Sequence, residues 1–290
     1  MTRRNLLAGA SAGAMFSQPP PLKASVTSSV MLWTLKGSFE EKLEIAARAG
    51  LQSVELVGEH VSWTDADIAR VKKLARSLRL GIDTISAMPD WKKKNLSLVD
   101  PARREDLVAE VRRQLEFARR LEVPMALLMS GDAVPGRTHG EQWASMVEGA
   151  RRCADIAEKA GVTLIVEPLN TKVNHKGYFL DNCVDGLRLI REVNHPRLRL
   201  LFDLYHEQVQ VGDVIRSVQA AAEYVKVFHV ADNPGRNDPG TGEMNYGNIY
   251  RAIRSSGYQG YITMEYLPLG DPVQSLIKAV DGMRAALASA

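Results

Sequence analysis

Four polar residues close apolar runs in the second half of the chain, and their types suit the capture of a divalent ion. Glu167 follows Leu164-Ile165-Val166, Asp203 follows Leu201-Phe202, His229 follows Val227-Phe228, and Glu265 follows Thr263-Met264. A carboxylate at the end of an apolar run is costly to desolvate unless it is paired or coordinates a metal. Three carboxylates gathered in a small volume also repel one another, and a divalent cation is the simplest compensation. Three oxygens and one nitrogen suit Mn²⁺ or Mg²⁺, with Co²⁺ or Zn²⁺ as alternatives. Taken singly, each residue has a plainer reading. Glu167 or Glu265 could pair with a core arginine, Asp203 could cap a helix, and His229 could be a satisfied core histidine. The recurrence at successive run ends is what argues for one site.

Such convergence needs a scaffold that brings the ends of separate runs together. From residue 28 onward, short runs rich in Val, Ile, Leu and Met alternate with stretches of helical period. The candidate strands are 28–35, 53–58, 81–88, 124–130, 163–169, 198–206, 225–232 and 261–266. The candidate helices are 39–49, 64–78, 101–121, 140–160, 181–193, 213–222, 245–255 and 272–287. Eight strands, each followed by a helix, predict a single (β/α)8 TIM barrel over residues 25–290 rather than an open doubly wound sheet. Catalytic groups in this fold sit at the C-terminal ends of strands, where the four residues fall. Gly50, Gly161 and Gly257 stand where helical runs give way to strands, and Thr64 stands where it can cap a helix with acids in the first turn.

The chain has 290 residues, 45% of them hydrophobic and 24% charged, which is enough apolar material for one large core. Its 37 basic and 34 acidic residues are spread along the whole length, so no phosphate-tracking surface is predicted and nucleic acid is not an expected partner. The basic cluster Lys92 to Lys94, beside Trp91, reads as a solvated loop face. Cys153 and Cys183 lie in helical stretches without metal spacing and read as buried small residues.

At the N-terminus, Thr2-Arg3-Arg4-Asn5-Leu6-Leu7 opens a weakly apolar, small-residue run to Phe16, and three prolines follow before Leu22. Residues 1–24 are therefore similar to a twin-arginine signal and linker, which predicts export to the periplasm. A merely basic N-terminus on a cytoplasmic protein is the alternative. No later run reaches the roughly 20 apolar residues of a membrane span, so no membrane anchoring is expected after export.

The chain also resembles a known family. Glu167-Pro168-Leu169-Asn170, Tyr178-Phe179-Leu180, Asp203-Leu204-Tyr205-His206 and Pro234-Gly235-Arg236 are similar to the hydroxypyruvate isomerase branch of the xylose-isomerase-like superfamily. Gly242-Glu243-Met244-Asn245-Tyr246, Gly257-Tyr258-Gln259-Gly260 and Glu265-Tyr266 extend the likeness, which is densest after Glu167. The resemblance implies a (β/α)8 fold and one divalent ion on Glu167, Asp203, His229 and Glu265, with the two glutamates doubling as acid and base. It implies too that His206 and Arg236 reach substrate oxygens. One departure matters: the hydroxypyruvate isomerases compared carry glutamine where His229 stands, whereas ketose 3-epimerases carry histidine. The implied substrate is a small sugar or keto acid, with a homo-oligomer as an open assembly.

The chemistry that follows is proton transfer next to a carbonyl. Positive charge at the carbonyl and the adjacent hydroxyl would acidify the carbon-bound proton and stabilise an enediolate. One glutamate removes the proton and the other returns it, to the neighbouring carbon in an isomerisation or to the opposite face in a 3-epimerisation. Arg236, in a glycine-and-proline loop, could bind a carboxylate or hydroxyl, or form a surface salt bridge. Glu243 could anchor that loop through Arg236 or a backbone N–H, or simply charge a helix start. Trp33, Glu59, His60 and Trp91 lie near early strand ends, where they wall the pocket or pack.

Two other classes compete. Apurinic endonucleases of the same superfamily cleave phosphodiesters with three zinc ions, but six histidines, His195 at the wrong barrel end among them, are few for that site. A non-catalytic exported sugar-binding protein would not need both glutamates.

Overall fold

The computed structural model describes residues 26–288. Arg3, Arg4 and the rest of the expected signal and linker lie outside the described residues. Eight parallel strands form a closed barrel in chain order. They are β1 (Val26–Met31), β2 (Ser53–Glu55), β3 (Gly81–Ser86), β4 (Met125–Leu128), β5 (Thr163–Val166), β6 (Leu198–Asp203), β7 (Val225–Val230) and β8 (Gly260–Met264). The sheet closes where β1 pairs with β8, Val30 lying opposite Met264.

The helices are α1 (Phe39–Arg48), α2 (Asp65–Ser77), α3 (Trp91–Lys94), α4 (Arg104–Leu121), α5 (His139–Ala160), α6 (Cys183–Val193), α7 (Leu204–Gln210), α8 (Val214–Ala221), α9 (Tyr246–Ser255) and α10 (Pro272–Ala288). Their starts are chemically specified. Thr64 accepts from the Asp67 N–H, the N-cap its sequence predicts, and the Asp67 carboxylate accepts from the Thr64 N–H in return, which completes a capping box. Gly161 ends α5 at φ 72°, the left-handed conformation that costs glycine little. Leucine, valine and isoleucine from the strands and the inner helix faces make one contiguous core. Cys153 and Cys183 are both buried and free, as expected.

Several strands are shorter than their sequence reading, and three differences bear on the site. The first strand ends at Met31 and passes into a 3-10 turn at Leu32–Thr34, so Trp33 does not continue it. The sixth stops at Asp203 instead of running to residue 206, because the Asp203 carboxylate accepts from the Tyr205 and His206 N–H groups and starts α7. Lys92 to Lys94 form one helical turn, α3, rather than a plain loop; Lys92 faces Asp132 at 3.8 Å and Lys94 pairs with Glu110 at 2.9 Å. Among the described residues no helix is long and apolar enough to cross a membrane.

Candidate metal centre

Parallel register brings the four strand-end residues together. Asp203 lies opposite His229 across the β6–β7 pair, and His229 lies opposite Thr263, two residues before Glu265. Glu167 leaves β5 one residue after Val166. One ligand atom from each of Glu167, Asp203, His229 and Glu265 lies within 4.8 Å of the others, and all four residues are buried. Among the described residues this is the one such group of histidine, cysteine and carboxylate donors.

The electrostatics are those of a site holding too much negative charge for its burial. Burial, reinforced by Glu265 and Asp203, pushes the Glu167 carboxyl up to about 7 despite its hydrogen bond to His229. Burial likewise raises Asp203 to about 6, against the opposing charge of Arg236. Glu265 goes the other way. Burial alone would raise it, but Arg236 and His229 together hold it well below the usual carboxylate range. For His229, burial favours the neutral ring, yet the charges of Glu55 and Glu265 and the bonds to Glu167 and Glu265 outweigh it and lift the imidazole well above its ordinary value. Without a metal, protons and Arg236 do the neutralising. A divalent cation fits this donor set, since it would replace those protons among three carboxylate oxygens and one imidazole nitrogen.

The two oxygens of the Asp203 carboxylate have separate surroundings. Its Oδ1 caps α7, with bonds of 2.7 and 3.0 Å to the N–H groups of Tyr205 and His206. Its Oδ2 turns to the site, 3.4 Å from Arg236 and 3.6 Å from His206 Nε2.

His206 is therefore on a helix, not a strand, but it faces the centre. Its Nδ1 accepts from the Asn170 backbone N–H at 3.1 Å, which leaves the proton on Nε2. That buried Nε2 has no hydrogen-bond partner, and burial and Arg236 keep the ring neutral. It is a donor waiting for an acceptor. Arg236 is buried rather than at the surface: it pairs with Glu265 Oε2 at 2.8 Å and lies 5.3 Å over the rings of both Trp33 and Tyr205. Its left-handed backbone is held by a bond from its N–H to the Asp232 carbonyl.

The weaker candidates divide. Trp33 reaches the centre, donating from Nε1 to Glu265 Oε1 at 2.9 Å. His60 does not; its Nε2 pairs with Gln114 and its ring packs on Phe117. Glu59 accepts from the Val57 and Gly58 N–H groups, and Trp91 packs edge-on against Tyr178. Glu243 anchors its loop through the side chains of Asn233 and Gln208 rather than through Arg236 or a backbone N–H.

Two partners of the site were given no role from the sequence. Glu55 ends β2 fully buried, with Oε2 at 3.1 Å from His229 Nε2. Its signal was there: a carboxylate between Val54 and Leu56 inside a predicted strand. Tyr178 fixes the loop after β5, donating to the Glu167 carbonyl at 3.0 Å and accepting from the Ser130 N–H at 2.7 Å.

The model of the family described as xylose isomerase-like TIM barrel matches residues 43–286. The hydroxypyruvate isomerase of Escherichia coli is 29% identical over 234 residues, covering 79% of this chain and 88% of its own length. The 2-oxo-tetronate isomerase of Cupriavidus necator is 31% identical over 240 residues, covering 80% and 88%. The D-psicose 3-epimerase of Agrobacterium fabrum is 26% identical over 261 residues, covering 85% of each chain. Among solved structures, a family 2 AP endonuclease from Brucella melitensis superposes with a TM-score of 0.78 at 26% identity, over 89% of this chain and 98% of that one.

Proposed function

Because the chain belongs to the xylose isomerase-like TIM barrel family and is an isomerase or epimerase, we propose that it moves a proton between carbons of a small hydroxy-carbonyl acid or sugar, with Glu167 and Glu265 as acid and base. The observation that carries this reading is the pair of glutamates flanking Asp203 and His229 on the four late strands, with their ligand atoms within 4.8 Å. A divalent ion, Mn²⁺ or Mg²⁺ from the donor set, would be held by Glu167, Asp203, His229 and Glu265 and would acidify the proton beside a carbonyl.

The chain's own groups supply the rest. Glu265 has both oxygens engaged by donors, Trp33 Nε1 and the Arg236 guanidinium, which favours its ionised form as a base. Glu167 has no arginine contact of that kind and carries its proton more readily, with its carboxyl near 7. Unlike surroundings for two neighbouring carboxyls are what an acid–base pair requires. The neutral His206 directs its Nε2–H at the centre, where it can donate to a substrate oxygen. Arg236, already beside Glu265, is placed to bind a second oxygen or a carboxylate. Trp33 and Tyr205 bracket its guanidinium and limit where it can move.

The relatives named hydroxypyruvate isomerase and 2-oxo-tetronate isomerase favour, as the first reading, isomerisation of a short keto acid, which here would be of the aldose–ketose type. His229 favours the second reading, 3-epimerisation of a longer ketose, since it matches the residue type of the epimerases. Incubation with Mn²⁺ and a panel of keto acids and ketoses in D₂O separates them. Deuterium on the former carbonyl carbon, with interconversion of aldehyde and ketone, identifies the isomerase; deuterium at C3 with inversion there and the carbonyl left in place identifies the epimerase. No incorporation from any member of either class sinks the proposal.

We also propose, from Arg3-Arg4 and the run that follows, export to the periplasm; replacing both arginines by lysine should strand the precursor in the cytoplasm.

A further inference from the structure

Glu55 touches a residue three strands away around the barrel wall. It ends β2, and between β2 and β7 around the closed sheet stand β1 and β8. Its side chain therefore crosses the interior, and its two oxygens are separately assigned. Oε2 lies 3.1 Å from His229 Nε2, and Oε1 accepts from the Thr263 hydroxyl at 2.6 Å. Both Glu55 and Thr263 are fully buried. His229 thus has one nitrogen on each side: Nδ1 faces Glu265 Oε2 at 2.7 Å and Glu167 Oε1 at 3.6 Å, while Nε2 faces Glu55.

The backbone is adjusted where Glu55 leaves the strand. Between β2 and β3 the register slips, Val54 pairing with Ile82 but Glu55 with Thr84, so Asp83 is an extra residue. Asp83 turns inward to accept from Ser29 Oγ at 2.6 Å. Burial first, and the Glu55 charge second, push the Asp83 carboxyl well above the carboxylate range. A carboxylate in a barrel core is costly to desolvate unless it has good partners. An apolar residue at the end of β2 would avoid that cost.

We propose that Glu55 is a positioning residue for the metal centre: by accepting a hydrogen bond from His229 Nε2–H, it fixes the ring tautomer and orientation that leave Nδ1 as the metal-binding nitrogen. A neutral imidazole can carry its proton on either nitrogen, and only the nitrogen without it can bind a cation. A buried carboxylate on the far nitrogen settles that choice and raises the basicity of the near one. Thr263 in turn holds Glu55 by its other oxygen, so the orientation of His229 is specified two contacts away from the metal. The inference rests on the metal reading proposed above.

The test compares wild type with Glu55→Gln, Glu55→Leu and Thr263→Val. Mn²⁺ affinity is measured by calorimetric titration, and His229 tautomer by long-range ¹H–¹⁵N NMR on the diamagnetic Zn²⁺-loaded protein. Glu55→Leu should weaken Mn²⁺ binding about 10–100-fold. Glu55→Gln, whose amide oxygen can still accept from Nε2–H, should recover most of that loss, and Thr263→Val should lie between it and wild type. The ¹⁵N spectrum should place the His229 proton on Nε2 in wild type and in Glu55→Gln. Should Glu55→Leu fail to fold, the other two variants and the wild-type spectrum still decide. Unchanged Mn²⁺ affinity in a folded Glu55→Leu, or a wild-type proton on Nδ1, overturns the inference while leaving the metal reading intact. Wild type that takes up no Mn²⁺ overturns both.

Discussion

The two halves of the barrel rim treat polar residues differently. The ends of β5 to β8 deliver Glu167, Asp203, His229 and Glu265 into one buried cluster, whose charges find their compensation in one another and in Arg236. The segments after β2 and β3 carry Glu59, His60 and Trp91, and these turn to local work. Glu59 holds two backbone N–H groups, His60 pairs with the neutral Gln114 of α4, and Trp91 packs on Tyr178. The difference lies in what each partner can neutralise. A residue with a neutral hydrogen-bond partner offers a cation no charge to neutralise, whereas three adjacent carboxylates that Arg236 and His229 only partly offset can draw in a cation. Trp33 and Glu55 are the exceptions: both belong to the early half, and both reach across to the late cluster.

The largest effect should come from removing proton transfer while leaving the cluster in place. Glu167→Gln and Glu265→Gln each keep an oxygen ligand but not an acid or base, so turnover should fall roughly 10²–10⁴-fold with metal still bound. Steady-state rates beside metal stoichiometry check this. Near wild-type turnover in both variants would make the late half merely a binding site.

Asp203 offers a sharper cut, because its two oxygens have separate tasks. Asp203→Ala should lose about tenfold or more in metal affinity and also about 1 kcal/mol of stability through the lost cap of α7. Asp203→Asn, whose side-chain oxygen can still cap, should lose the affinity and keep most of the stability. Calorimetric metal titration and urea unfolding of the metal-free proteins separate the two. Equal stability losses would show that capping by Oδ1 is not what α7 depends on.

Metal affinity should also depend on pH with a definite sign. Glu167 at about 7 and Asp203 at about 6 hold protons that a metal must displace, and the raised His229 must give up its Nδ1 proton as well. Binding should weaken as pH falls through that range, with protons released on metal uptake. Titrations in buffers of different ionisation enthalpy count those protons, and a flat profile over roughly pH 5 to 8 would contradict the charge balance described.

The smallest effect on the centre belongs to the early half. His60→Ala removes a buried ring and leaves Gln114 Oε1 without its partner, while Gln114 Nε2 keeps its bond to Glu110, so it should cost on the order of 2 kcal/mol of stability with metal affinity unchanged. The same ring adds a pH effect. Burial lowers the His60 imidazole, so the folded chain resists a proton that the unfolded chain accepts, and stability from this residue fades as pH falls below the ordinary histidine range. If His60→Ala weakens metal binding as much as Asp203→Ala, the division between the halves is false.

Much of this architecture is legible in the sequence because it is written in local pattern. Eight short apolar runs alternating with helical periods require a barrel, and a charged residue at the end of an apolar run stands out against its neighbours, which is how Glu167, Asp203, His229 and Glu265 could be named together. Thr64 and Asp67 announce a helix start for the same reason: both halves of the capping box lie within one turn. The tertiary structure alone decided what these residues share with distant ones. Glu55 and His229 are 174 residues apart, and Trp33 and Glu265 are 232 apart, so no spacing along the chain signals their contact. Whether a strand-end aspartate caps a helix or turns to a cluster of strand-end groups looks like a choice in sequence; the structure gives Asp203 both, because a carboxylate has two oxygens and the turn into α7 points them in different directions.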